Sequence, residues 1–289
     1  MFFDLHSDLL TADKPESFVF ESVKRAREKN ACVNYAVFKG DGDLNFLKEK
    51  LKLKRRAGVK YYSLEDCCYV SESSVYEDID LLFEILNVEK PLCVSLCWNN
   101  ENAFASGCSA EGGLKPAGKY FIKRLNEAKI PLDLSHINEW GFYEALDLSF
   151  KPLCTHSALG FIYPHRRNLK KEQIEKLLRR GGIFGVIGVK HFLFNYAQTL
   201  KGNSSSVLGE SAFYAHIDGY LQNFGVNGLC VGTDFFGSDA PVFSDGDYSF
   251  CTELENRLAL MPVLSQQDII NILYGHARAF FNILNIRNG

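Results

Sequence analysis

Three histidines and three carboxylates stand at the ends of short apolar runs. They are His6 and Asp8 in Asp4-Leu5-His6-Ser7-Asp8, Glu65 after Tyr61-Tyr62-Ser63-Leu64, His136 closing Leu132-Asp133-Leu134-Ser135, His156 in Thr155-His156-Ser157, and Asp234 in Gly232-Thr233-Asp234-Phe235. Imidazole nitrogen mixed with carboxylate oxygen suits zinc or a similar divalent ion, and six such donors suffice for two ions sharing a bridging carboxylate. Taken singly, a histidine at a strand end is ordinarily a hydrogen-bonded core or loop residue; the set of three points to metal. In His6-x-Asp8, strand alternation sends both side chains to one face. His191 also lies near a strand end and competes as a ligand, whereas His165 and His216 fall in a loop and a helix. Asp8 and Asp234 have a second reading as caps of the helices that follow.

Positioning these groups requires strands that end beside one another, and eight candidates occur: Phe2 to His6, Ala31 to Phe38, Val59 to Glu65, Leu92 to Cys97, Pro131 to His136, Pro152 to His156, Ile183 to Val189 and Gly228 to Asp234. Between them lie segments of helical periodicity, including Val75 to Leu86, Ala117 to Lys129, Lys171 to Arg180 and Ala212 to Phe224, with Gln266 to Ile283 at the end. Apolar strands alternating with amphipathic helices imply a parallel sheet covered by helices. Eight units imply one closed α/β barrel of the TIM (β/α)8 type over residues 1–289, with its active site at the C-terminal ends of the strands. A dinucleotide-binding sheet would need a glycine-rich turn after the first strand, and His6-Ser7-Asp8 stands there instead. Gly181-Gly182 reads as a helix stop before a strand.

Composition narrows the classes further. The net charge of -3 and the lack of a basic run beyond Lys52, Lys54, Arg55 and Arg56 give no footprint for nucleic acid; that cluster reads as a solvated helix face. Nine scattered cysteines in apolar runs read as buried free thiols, and Cys67-Cys68 lacks the two-residue spacer of a metal or redox pair. With no run of about 18 apolar residues to span a bilayer and no signal-like opening, the expectation is a cytoplasmic protein without a membrane partner. Ser204-Ser205-Ser206 reads as a loop.

The ordered motifs resemble the membrane (renal) dipeptidase family, in a short bacterial-type form. Asp4 to Asp8 is similar to that family's opening His-x-Asp motif, Leu132 to His136 and Thr155 to Ser157 to its fifth- and sixth-strand motifs, Arg166-Arg167-Asn168 to its Arg-Asn substrate motif, and Gly232 to Phe235 to its Gly-Ser-Asp-Phe signature. The Trp98 to Asn102 and Gly113 to Gly118 stretches also look like family segments. The resemblance implies a zinc-dependent dipeptidase with two divalent ions: His6, Asp8, Glu65 and Asp234 around one, His136 and His156 with the bridging Glu65 around the other. It further implies Asp234 as the proton-handling catalytic group, Arg167 with Asn168 binding the substrate carboxylate, a small dipeptide-like substrate, and a homodimer as one admissible assembly. Three departures stand out. Glu65-Asp66 replaces the usual Glu-Gly, with Glu111-Gly112-Gly113 the competing match by letters; Trp98 occupies the place of a histidine that stabilises the reacting carbonyl; and Phe236 stands where aspartate is frequent.

Two rival readings use the same residues. Another metal-dependent barrel hydrolase (amidase, lactonase or deaminase) would keep the metals and change the bond, although many of those open with His-x-His and have no call for the Arg167 anchor. A noncatalytic binding barrel would keep the fold and lose the turnover.

Overall fold

A computed structural model of the chain describes residues 1–38, 42–67, 69–70, 73–196 and 205–283. Eight strands, β1 (Phe2–Ser7), β2 (Ala31–Phe38), β3 (Tyr61–Glu65), β4 (Val94–Ser95), β5 (Leu132–Asp133), β6 (Pro152–Ser157), β7 (Phe184–Ile187) and β8 (Leu229–Gly232), close into a parallel barrel in sequence order. The expected TIM-type barrel is therefore what forms, with all eight strands where the apolar runs placed them.

The helices between strands are α1 (Glu16–Glu28), α2 (Leu44–Arg56), α3 (Val75–Glu89), α4 (Pro116–Ala128), α5 (Glu139–Leu148), α6 (Lys171–Arg179), α7 (Lys190–Leu193) and α8 (Ser205–Phe224). After β8 come α9 (Phe250–Ala259), α10 (Gln266–Ile270) and α11 (His276–Phe280), the last two joined through a π-helical turn at Asn271–Gly275. The closing helix expected over Gln266 to Ile283 is thus three pieces, because the i→i+5 turn inserts one residue into its ladder. The starts are chemically marked. Asp43 accepts from the Phe46 amide ahead of α2, Asn138 from the Gly141 amide ahead of α5, and Ser265 with Asp268 forms a capping box at α10. Gly181, at φ 72°, ends α6 as its position suggested.

Burial follows the pattern. In α3, Ile79, Leu82, Phe83 and Leu86 face the sheet at helical spacing, each contributing about 1.5–3 kcal/mol when fully buried. Inside the barrel, Phe3, Leu5, Leu153, Ile183 and Cys230 form a second apolar cluster against Phe280. In the basic cluster of α2, Lys52, Arg55 and Arg56 lie on the solvated face as expected, whereas Lys54 is buried, its Nζ 3.1 Å from Glu89 Oε2 and 4.4 Å from the Tyr62 ring centroid, with Arg55 pairing to the same carboxylate. The eight described cysteines carry free thiols. Cys68 and Ser204 lie outside the described residues, while Ser205 and Ser206 open α8 rather than forming a loop. Among the described residues no helix is long and apolar enough to cross a membrane.

Two irregularities aim the site. Between Asp4 and Ser7, β1 has one residue more than β2 opposite it, and between Cys154 and Ser157, β6 has one more than β7. A bulge of this kind re-aims the side chains beyond it, and the residues inside these two intervals include His6 and His156. Strands β4 and β5 pair over only two residues each. In β5 the Asp133 carboxylate takes the amides of Ser135 and Thr155, so those amides leave the strand ladder.

Candidate metal centre

All six predicted donors meet at the C-terminal end of the barrel, from β1, β3, β5, β6 and the turn after β8, and every one is buried. Three groups have ligand atoms within 4.8 Å of one another: His6 with Asp8 and Glu65, His6 with His156 and Asp234, and Glu65 with His136 and His156. Glu65 lies at the centre. Its Oε2 is 3.1 Å from His6 Nε2 and its Oε1 is 2.7 Å from His136 Nε2 and 3.7 Å from His156 Nε2. On the other flank, His6 Nε2 is 3.4 Å from Asp8 Oδ2 and 3.8 Å from Asp234 Oδ1.

Hydrogen-bond accounting asks for a cation here. His136 Nδ1 lies 2.9 Å from Asn99 Oδ1, an acceptor, which assigns the ring proton to Nδ1 and leaves Nε2 as a lone pair. That lone pair faces Glu65 Oε1 and, at 2.9 Å, His156 Nε2. Acceptors at such separations repel unless a proton or a metal lies between them. Asp8 Oδ1 is buried without a hydrogen-bond partner among the described residues, and His6 Nε2 meets Glu65 and Asp8 without a well-aligned hydrogen bond; coordination would remove a cost of roughly 1–3 kcal/mol per unsatisfied group. The donor set therefore fits divalent ions.

Electrostatics follow the same geometry. Burial raises Asp234 and Asp8, reinforced in Asp234 by the Asp8 charge and in Asp8 by Glu65. For Glu65, burial is outweighed by His6 and His136, which hold it well below the usual carboxylate range. For His6, burial is likewise outweighed, here by Glu65 and Asp8, and the ring is raised well above the usual imidazole value. Burial together with the Arg167 charge lowers His136 to about 4, and burial with the charge of His6 lowers His156 well below its ordinary value. Two neutral imidazoles beside an ionised carboxylate are ligands ready to bind.

Backbone conformation explains one departure from the family motif. Asp66 adopts φ 60°, the left-handed region in which glycine is most at ease and aspartate is among the few tolerated alternatives. Asp66 is tied down there by Asn102 Nδ2, 2.9 Å from its Oδ1, and its own amide donates to Ser95 Oγ at 3.0 Å. The turn that glycine would permit is thereby kept, and Glu65 stays at the centre. Glu111 is exposed and outside the cluster. His136 at φ 71° and Asp234 at φ 59° share this uncommon conformation.

The remaining candidates separate. Arg167 is buried, donates through Nη2 to the His156 carbonyl at 3.1 Å, lies 5.6 Å from the Phe192 ring centroid, and leaves Nε without a partner among the described residues. It lines a cavity of about 430 Å³ that His136 also borders, and a second of about 350 Å³ with Asn99 and Phe192. Asn168 is also buried, but its Nδ2 is used by the Tyr163 and Phe192 carbonyls at 2.8 and 2.7 Å, so it braces the loop that presents Arg167. Trp98 lines a cavity of about 220 Å³ with Asp8, Glu65, His136 and Asp234, its ring 5.1 Å from Phe38 and 6.0 Å from His136. His191 is half-buried and pairs with Asp239 at 3.1 Å, outside the donor set. Sequence reasoning missed Asn99, Phe38, Phe192 and the role of Phe236 as cavity wall; for Asn99 the available signal was its place one residue after Trp98.

Comparison with known proteins gives a consistent result. The model of the membrane dipeptidase family, peptidase family M19, matches residues 89–281. An uncharacterised protein from the pqqA 5′ region of Klebsiella pneumoniae is 31% identical over 153 residues, covering 50% of this chain and 55% of that relative. Dipeptidase tcpJ of Claviceps purpurea is 24% identical over 154 residues, covering 52% and 34%. The matches thus span about half or less of these relatives' lengths. Among solved structures, the metallopeptidase dipeptidase AC of family M19 superposes with a TM-score of 0.76 at 17% identity over 97% of each chain. A Rhodobacter sphaeroides metallopeptidase liganded with a phosphinate mimic of L-Ala-D-Ala gives 0.75 at 17% over 97% and 98%. At such identity, these likenesses speak for the shared fold.

Proposed function

Because the chain belongs to the membrane dipeptidase family, we propose that it is a dinuclear, zinc-dependent dipeptidase that hydrolyses the amide of small dipeptides. The observation that carries the dinuclear reading is Glu65: one carboxylate oxygen faces His6 and the other faces His136 and His156, so one residue serves two sets of donors. His6, Asp8, Glu65 and Asp234 would hold one ion and Glu65, His136 and His156 the other. When bound, divalent cations at such a site make hydroxide available near neutral pH and polarise a carbonyl.

The chain's own residues supply the rest. Arg167, with Nε unpartnered among the described residues, would fork onto the substrate's carboxylate, and Asn168 holds the loop from which it reaches. Burial and the nearby Asp8 charge raise the proton affinity of Asp234, and such a carboxylate, ionised beside a bound cation, would accept a proton from water and pass it to a leaving amine. Trp98 closes the cavity wall and offers an indole N–H as a neutral donor where a histidine would offer a titratable one. The Rhodobacter sphaeroides relative takes a dipeptide mimic, and the 220 Å³ cavity over the donors suits a substrate of that class.

The test is metal content measured beside hydrolysis of a mixed dipeptide panel, for the native chain, His136→Ala and Asp234→Asn. Two ions per native chain with turnover lost in both variants is the expected result. Two ions without turnover would move the assignment to another amide or ester, and no metal would leave a binding barrel.

A further inference from the structure

Two buried aspartates outside the donor set occupy nearly the same surroundings. Asp4 on β1 accepts through Oδ1 from the amides of His6 (3.2 Å) and Thr233 (2.8 Å), and through Oδ2 from the Thr233 hydroxyl (2.6 Å). Asp133 on β5 accepts through Oδ1 from the amides of Ser135 and Thr155 (3.0 Å each), and through Oδ2 from the Thr155 hydroxyl (2.5 Å). Each clamp joins neighbouring strands, β1 to β8 and β5 to β6. Each threonine immediately precedes a donor, Asp234 or His156.

Only the second clamp touches an imidazole: Thr155 Oγ1 lies 2.8 Å from His156 Nδ1. A hydroxyl has one proton to give, and the Asp133 carboxylate takes it. Ser135 Oγ, 3.2 Å from Thr155 Oγ1, sends its own proton to Asp133 Oδ1 at 2.8 Å. Towards His156, then, Thr155 can only accept. The ring proton must be on Nδ1, which leaves the Nε2 lone pair facing Glu65 and His136.

We infer that Asp133 is a positioning residue which, by committing the Thr155 hydroxyl, locks His156 in the tautomer whose Nε2 is free for metal. Partners behind a ligating histidine fix its tautomer and orientation in this way, and losing one typically costs about 10–100-fold in metal affinity. The inference rests on the metal reading for its purpose, while the tautomer is set from the Nδ1 side, where Thr155 can only accept.

Two measurements separate these levels. Long-range proton–nitrogen correlation of ¹⁵N-histidine-labelled, metal-free protein should show His156 protonated at Nδ1 in the native chain and in Thr155→Ser. In Thr155→Val, which has no acceptor, the Nε2-protonated form should appear. Thr233→Val, the same change at the clamp that touches no ring, should leave the His156 signals in place. Zinc titration should give an affinity for one of the two ions about 10–100-fold lower in Thr155→Val, with near-native affinity in Thr155→Ser. An unchanged His156 tautomer in Thr155→Val, with zinc affinity as in the native chain, overturns the lock. A tautomer shift in a protein that binds no zinc would uphold the lock and sink the metal reading.

Discussion

Replacing Gly232 with alanine would place a methyl carbon 2.0 Å from the Thr155 carbonyl oxygen, 3.0 Å from its carbonyl carbon and 3.2 Å from His156 Cβ. Non-bonded carbon and oxygen do not approach within about 3 Å, so β6 and β8 must separate by about 1 Å at this point. Neither strand has room to move. Thr155 is held by Asp133 on one side, and on the other Gly185 of β7 would meet the same carbonyl at 2.0 Å were it not glycine. Overpacking a rigid interior costs about 1–3 kcal/mol, and a clash with buried backbone belongs at the upper end. About 3 kcal/mol corresponds to a fall in Tm of roughly 5 °C in a chain of this size. Gly181→Ala is the control: it has φ 72° but nothing within 4 Å of the added carbon, so it should lose only about 1–2 kcal/mol from the backbone. Denaturant unfolding of both variants gives the stabilities, and zinc titration gives the effect on His156. A Gly232→Ala protein within 1 kcal/mol of native that still holds two ions would refute the reasoning that this contact sets the position of His156.

Arg167→Lys should raise KM for dipeptides about 10–100-fold, since a point charge replaces a bidentate fork, with metal content unchanged; steady-state kinetics beside metal analysis checks both. Glu89→Ala should lose about 1–3 kcal/mol in denaturant unfolding, because it strands the buried Lys54 ammonium, and adding Lys54→Met should recover part of the loss. His216 accepts from the Leu159 amide at Nδ1 and lies 3.1 Å from the Leu193 carbonyl at Nε2, and burial lowers it from 6.5 to about 4. Its folded value lies below the unfolded one, so its contribution is full above pH 6.5 and is lost as pH falls towards and through about 4. About 3 kcal/mol is at stake, and the difference in unfolding free energy between native and His216→Ala, followed from pH 7 to 4, should shrink by that order.

The barrel was legible because its signal is repetitive: eight apolar runs with helical spacers leave few alternatives, and boundaries erred mainly at β4 and β5, where side chains take the backbone hydrogen bonds that would have extended the strands. The cluster of six candidate donors was legible because imidazoles and carboxylates recur at the strand ends that the barrel brings together. What surrounds them was not. Asp4 and Asp133 look, as letters, like polar residues beside a histidine, and only three-dimensional pairing reveals the threonine on the next strand that each one holds. Lys54 misled for the same reason, since its partner Glu89 lies at the end of another helix. Asp66 shows the converse, where an unexpected letter preserves the conformation that the expected glycine would have served.

The spread of the donors along the chain, from His6 on the first strand to Asp234 beyond the last, bears on how the protein is made. The barrel closes only when β8 meets β1, and a nascent polypeptide emerges from its N-terminus onward. Until Asp234 has left the ribosome, His6 and Asp8 wait without their last companion, and the seam between first and last strands stays open. On the proposed metal reading, an ion held by His6, Asp8 and Asp234 would fasten the two ends of the barrel together, and its site is complete only once the last strand has met the first.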